Sequence, residues 1–228
     1  MLTLWLIFAP VALALTLAQA IFLVPRLPEP AEGPELGKTT YASLPSRGRL
    51  GILAALSLAA QAATAVAPAE QRGLWLVLGS SVLTLIWVDG LTTWLPTVFA
   101  RICLAQLVIA TAVGAVWSDD PTRLLLRAVI GAATAWLLWW LIWRLTRGGV
   151  GYGDVRLAPL LGLVTGASGL DVWMAALLGG ALSGVVWGLV RHRRRRPAPG
   201  TRTGFAYGPA LWTGPYLAVI WMWLLGGR

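Results

Sequence analysis

Two of the nine acidic residues in this chain, Asp89 and Asp154, are placed where carboxylates can do chemistry. Asp89 follows the apolar run Leu83-Thr84-Leu85-Ile86-Trp87-Val88, and Asp154 follows Gly148-Gly149-Val150-Gly151-Tyr152-Gly153 and opens another apolar stretch. Ionisable groups at membrane depth are costly and tend to mark function or a specific pairing. Two carboxylates held close cannot both ionise, so one keeps its proton near neutral pH. The ionised partner can then take a proton from a water while the protonated one polarises a scissile carbonyl. That chemistry needs no metal and no cofactor. The glycines before Asp154 allow close backbone approach of a substrate. A helix starting after Asp154 would direct its N-terminal dipole at the site. Gly90 and the Leu95-Pro96 pair predict a turn directly after Asp89. The competing structural reading is a pair of salt bridges, Asp154 with Arg156 or Arg147 and Asp89 with Arg101.

The elements that must position these acids follow from composition. Of 228 residues, 57% are hydrophobic and only 12% charged, and the mean hydropathy is +0.73. Soluble domains carry about twice that share of charge. Disorder is excluded, and with Cys103 as the sole cysteine, so are a disulfide scaffold and a cysteine zinc site. A helical crossing takes about 20 apolar residues. Eight such stretches are found, at 2–24, 50–69, 73–90, 97–117, 122–145, 155–169, 170–190 and 206–225. The fold class is all-α, a polytopic transmembrane bundle of about eight spans. The sixth span is short and reads as broken by Gly162, Gly166 and Gly169, with Pro159 tolerated in its first turns. Met1–Val24 has no basic n-region and an apolar run of span length, so it reads as a retained span, not a signal peptide. Residues 1–75 form a two-span segment with a Pro/Gly-rich loop, and residues 76–228 a six-span region.

The net charge of +9 serves topology. When alternate loops are assigned to opposite sides, 14 of the 18 bases collect on one side, and Arg72, Arg123, Arg127 and Arg228 on the other. Basic residues accumulate on the cytoplasmic side, so both termini are expected outside. The loops at 25–49, 91–96, 146–154 and 191–205 are then cytoplasmic. The run Arg193–Arg196 reads as an anchor on anionic lipid headgroups, with no nucleic-acid partner, and His192 within it as a solvated loop residue. Trp87, Trp94, Trp117, Trp143 and Trp212 lie near span ends, where an amphipathic ring suits the interface. Glu29, Glu32 and Glu35 fall in an irregular solvated loop, and Glu70, Asp119, Asp120 and Asp171 in outer turns. That leaves Asp89 and Asp154 on the shared cytoplasmic face, expected within reach of one water.

Gly151-Tyr152-Gly153-Asp154-Val155-Arg156-Leu157 resembles the GxGD motif of intramembrane aspartyl proteases, most closely that of the type IV prepilin peptidases. Asp89-Gly90-Leu91-Thr92-Thr93-Trp94-Leu95-Pro96 is similar to their first aspartate segment, and Phe205-Ala206-Tyr207-Gly208-Pro209-Ala210-Leu211 to their late segment at the last span. The resemblance runs from about Ser81 to Leu225. It implies cleavage of a short basic leader from type IV prepilin or pseudopilin precursors at the cytoplasmic face of a bacterial inner membrane. It also implies that Asp89 and Asp154 are catalytic, and that Gly151, Gly153, Arg156, Leu95, Pro96, Tyr207, Gly208 and Pro209 shape the site or meet substrate.

Three features differ from the family pattern. Residues 25–49 hold no cysteine, so the chain resembles a short form without the four-cysteine zinc segment, and N-methyltransferase activity is not expected. Arg156 stands where lysine is usual, keeping charge but not geometry. Gly90-Leu91-Thr92-Thr93 carries no base. Two other readings remain open. Gly208-Pro209-Ala210-Leu211 contains the Pro-Ala-Leu of related proteases acting on other membrane substrates. A buried acid on a glycine-broken span also fits a proton-coupled carrier or a silent scaffold.

Overall fold

The computed structural model describes residues 2–29, 39–147, 150–194 and 207–224, with backbone alone for 191–194. Among these residues there is no strand, and the helices form eight units. They are α1 (Leu2–Ala18), α2 (Arg47–Val66), a composite of α3 (Arg72–Val77) and α4 (Leu83–Thr92), α5 (Thr97–Val116), α6 (Pro121–Leu145), α7 (Tyr152–Ser168), α8 (Leu170–Arg194) and α9 (Gly208–Leu224). Six units are long and apolar enough to cross a membrane; α7 and α9 have 17 residues each. Many large apolar side chains face outward, among them Val108, Ile109, Val129, Ile130 and Leu182. A hydrocarbon solvent makes such exposure favourable, whereas water would not.

The composite of α3 and α4 is the axis of the bundle. In the span Ala69–Thr92, 78% of the most apolar window is buried, against 22% in α6. A π turn at Leu78–Val82 joins the two halves, and the Trp212 indole of α9 donates to the Leu78 carbonyl at 3.0 Å. A second π turn, Gln19–Leu23, extends α1. There the Gln19 amide donates to Ser81 at 2.7 Å, and one turn away Thr16 bonds Ser57 at 3.0 Å. Such interhelical bonds contribute about 0.6–2 kcal/mol each in a bilayer. They tie α1 and α2 to the axis.

Glycine does not break α7 at Gly162 or Gly166, contrary to the sequence expectation. The helix runs on through both, and ends only at Gly169, where φ is 131°. The two glycines instead form a close seam with α6. A Cβ at Gly166 would lie 2.6 Å from the Arg127 carbonyl oxygen, and one at Gly131 would strike the Gly162 carbonyl. Small residues at this spacing let helix backbones touch. Trp212 also departs from expectation, since it is buried rather than interfacial.

The chain does not turn directly after Asp89 either. α4 continues through Gly90 to Thr92, whose hydroxyl donates back to the Val88 carbonyl at 2.8 Å. The reversal falls at Thr93, in the left-handed region (φ 60°), and Pro96 then leads into α5. Glu32, Glu35, Lys38, Gly148, Gly149, Arg195, Arg196, Arg202, Phe205, Ala206 and Arg228 lie outside the described residues, as do the side chains of His192, Arg193 and Arg194.

Candidate active site

Asp89 sits on the last turns of α4 and Asp154 in the first turn of α7, so α7 begins three residues earlier than a helix starting after Asp154 would. The two side chains are only 6% and 5% exposed. Both line one cavity of about 460 Å³, close enough for their charges to act on each other. The Asp154 backbone amide donates to the Gly151 carbonyl at 3.1 Å, winding Gly151-Tyr152-Gly153 into the first turn. Asp89 Oδ2 is buried with no hydrogen-bond partner. An unpaired buried carboxylate oxygen is expensive, and a site for a polar ligand is one reason to keep it.

Other motif residues meet here in two tiers. Leu95, Pro96, Gly151, Gly153, Arg156 and Tyr207 line the cavity itself. Gly208 and Pro209 stand behind it. A Cβ at Gly208 would lie 2.5 Å from Asp89 Oδ2, and one at Gly90 would lie 3.2 Å from Pro209 Cγ. Only glycine at 208 therefore lets the start of α9 close against the Asp89 carboxylate. The Tyr207 hydroxyl donates to the Ala181 carbonyl at 3.3 Å, and its ring packs on Trp139 at 5.6 Å.

Arg156 does not serve as the salt-bridge partner weighed from the sequence. Its guanidinium donates to Thr97 Oγ1 at 2.7 Å and lies 5.0 Å from the centre of the Tyr152 ring. It thereby joins the start of α7 to the start of α5, directly after the Thr93–Pro96 reversal.

The sequence reading missed one wall. Pro28, Glu29 and Tyr41, from the loop between α1 and α2, also line the cavity. Glu29 was assigned to solvated loop; its carboxylate in fact accepts the Tyr41 backbone amide at 2.6 Å. Tyr41 is 1% exposed. Burial, with Glu29 and Asp89 nearby, pushes its phenol up to about 12, so it stays a neutral hydrogen-bond donor. The only signal in the sequence is a lone aromatic in a Pro/Gly/Ser-rich loop. Among the described residues, no group of three or more His, Cys, Asp or Glu side chains is arranged to hold a metal ion.

Comparison with known proteins gives one partial likeness. No protein-family model matches the chain, and no solved structure matches it. The prepilin leader peptidase/N-methyltransferase of Xanthomonas campestris pv. campestris is 32% identical to it over 99 residues, which are 42% of this chain and 32% of that protein. The match thus spans about a third of the length of that curated relative.

Proposed function

We propose that this chain is a membrane-embedded aspartyl endopeptidase that removes the leader from type IV prepilin-like precursors at the cytoplasmic face of a bacterial inner membrane. The observation that carries the reading is a pair of carboxylates, each more than nine-tenths buried, on the wall of one cavity at one end of the bundle. The named activity of the partial relative supports the substrate class, and the charge asymmetry of the loops supports the orientation, with both termini outside.

In this mechanism Asp89 and Asp154 share one proton and hold a water between them. The ionised carboxylate takes a proton from that water as its oxygen attacks the scissile carbonyl. The protonated carboxylate gives its proton to the carbonyl oxygen, forming a neutral tetrahedral intermediate. Collapse breaks the C–N bond: one hydroxyl of the intermediate returns its proton to the carboxylate that had donated, re-forming the carbonyl, while the proton first taken from water goes to the leaving amine. Burial removes competing water and strengthens each of these electrostatic steps. Gly208 lets α9 close on Asp89, Arg156 holds the entry of α7 against α5, and Leu95 and Pro96 wall the cavity beside Gly153. Residues 76–228 carry the acids, and residues 1–75 supply the Glu29–Tyr41 wall.

The test is direct. Protein in lipid nanodiscs, mixed with a type IV prepilin precursor, is expected to yield a product cut just ahead of the precursor's apolar helix, identified by intact mass. An uncut precursor under conditions where a known prepilin peptidase acts would overturn the proposal.

A further inference from the structure

The cavity is charged asymmetrically. Its described lining carries Glu29 and the Asp89–Asp154 pair, which shares one proton in the mechanism above, so two negative charges face the single guanidinium of Arg156. That guanidinium is already engaged by Thr97 and by the face of Tyr152. The three acids are not equivalent. Asp89 and Asp154 are buried, Asp89 with its Oδ2 against the start of α9. Glu29 is exposed on the rim, and the 2.6 Å bond from the Tyr41 amide fixes its place there. The Tyr41 side chain, buried beneath it, anchors that part of the loop.

We infer that Glu29 is a specificity residue, an anionic rim group that takes a lysine or arginine next to the cleaved bond of the substrate. This rests on the peptidase reading above and adds the partner of a residue which that reading leaves idle. The physical argument comes from the membrane. A substrate helix that reaches this site laterally from the bilayer presents its cytoplasmic end to the cavity. That end of an inner-membrane helix is where Lys and Arg accumulate. A site with surplus carboxylate attracts such a segment and repels an acidic one. Glu29 can pair with a cation without drawing either aspartate away from the water between them.

The experiment uses full-length protein in zwitterionic nanodiscs, with Asp89→Asn added to stop turnover. The probes are a synthetic peptide with lysines ahead of an Ala/Leu helix, and two twins with those lysines replaced by serine or by glutamate. The lysine peptide is expected to bind about fivefold tighter than the serine twin, the scale of a partly exposed ion pair. The preference should shrink as salt rises. Glu29→Gln, which keeps the acceptor for the Tyr41 amide, should abolish it, and Glu29→Lys should turn it toward the glutamate twin. A preference that survives Glu29→Gln overturns the inference. So does a wild-type preference that ignores salt. Cleavage of a type IV prepilin precursor, and of its twin with the leader lysines replaced by serine, by protein with both aspartates intact separates the two proposals. Discrimination without cleavage upholds Glu29 and sinks the peptidase reading; cleavage without discrimination does the reverse.

Discussion

In the turn between α5 and α6, Asp119 and Asp120 are exposed, and with Glu70, Arg123 and Arg127 they line a cavity of about 220 Å³. At the opposite end of α7, Asp89 and Asp154 line the larger cavity and are almost fully buried. One of the exposed acids has structural employment. Asp120 accepts the Arg123 amide at 2.9 Å and caps α6, which starts on Pro121. Asp89 lies against the Gly208 backbone at the start of α9, and its buried Oδ2 makes no hydrogen bond of normal geometry. The two ends differ less in composition than in what their acids are used for. A carboxylate that only serves the fold can stay in water; one kept out of water with an oxygen left unsatisfied needs a further reason to be there.

Breaking that contrast is the largest expected effect. Asp89→Asn or Asp154→Asn should lower cleavage of a co-expressed prepilin about a thousandfold, the scale of losing a general acid or base, while the protein still inserts. Asp119→Asn should leave processing within about twofold, as surface changes usually do. Gel mobility of the pilin reads both, and normal processing by either first variant would remove that aspartate from the mechanism.

Next comes the helix that connects the two ends. Gly131→Leu should cost at least about 2–3 kcal/mol, since the new side chain meets backbone atoms that cannot turn away. Gly151→Ala, whose Cβ would meet Asp154 Oδ2 at 3.4 Å and Gly153 N at 4.0 Å, both ordinary contacts, should leave stability within about 0.5 kcal/mol. Thermal melting in detergent compares them, and equal melting points would refute the seam. A smaller effect is expected from Arg156→Ala. Releasing Thr97 and Tyr152 should cut kcat/KM about tenfold through misplacement of the α7 entry, with melting little changed. If kcat/KM stays at the wild-type value, Arg156 has no positioning role. The smallest effect belongs to Asp120→Ala, which should lose about 1 kcal/mol of stability as a helix cap is removed. Cleavage should be untouched, and a loss of activity there would erase the distinction between the ends.

How much of this was legible depends on what kind of signal each residue leaves. The eight helical units were readable because each is a long apolar run. Asp89 and Asp154 stood out because acids are scarce and these two adjoin such runs. Gly162 and Gly166 were misread as breaks, because a glycine in a helix interior signals weakness locally and only the presence of Gly131 opposite reveals a packing role. The turn was misplaced at Gly90 for a related reason. The left-handed position falls instead on Thr93, a residue that seldom adopts it. Glu29 and Tyr41 left no periodic trace at all. Their place follows from where the loop between α1 and α2 lands, a long-range matter that no local pattern encodes.

The seam between α6 and α7 has one more consequence. Where side chains interdigitate, two helices can slip by exchanging rotamers. Where carbonyl and Cα atoms of Gly131, Gly162 and Gly166 meet directly, there is no rotamer to exchange. Asp154 therefore rides on a two-helix beam, while Asp89 rides on α4, clasped by the start of α9. The gap between the carboxylates is set by how two stiff bodies meet, so it is a property of assembly rather than of either aspartate's own side-chain freedom.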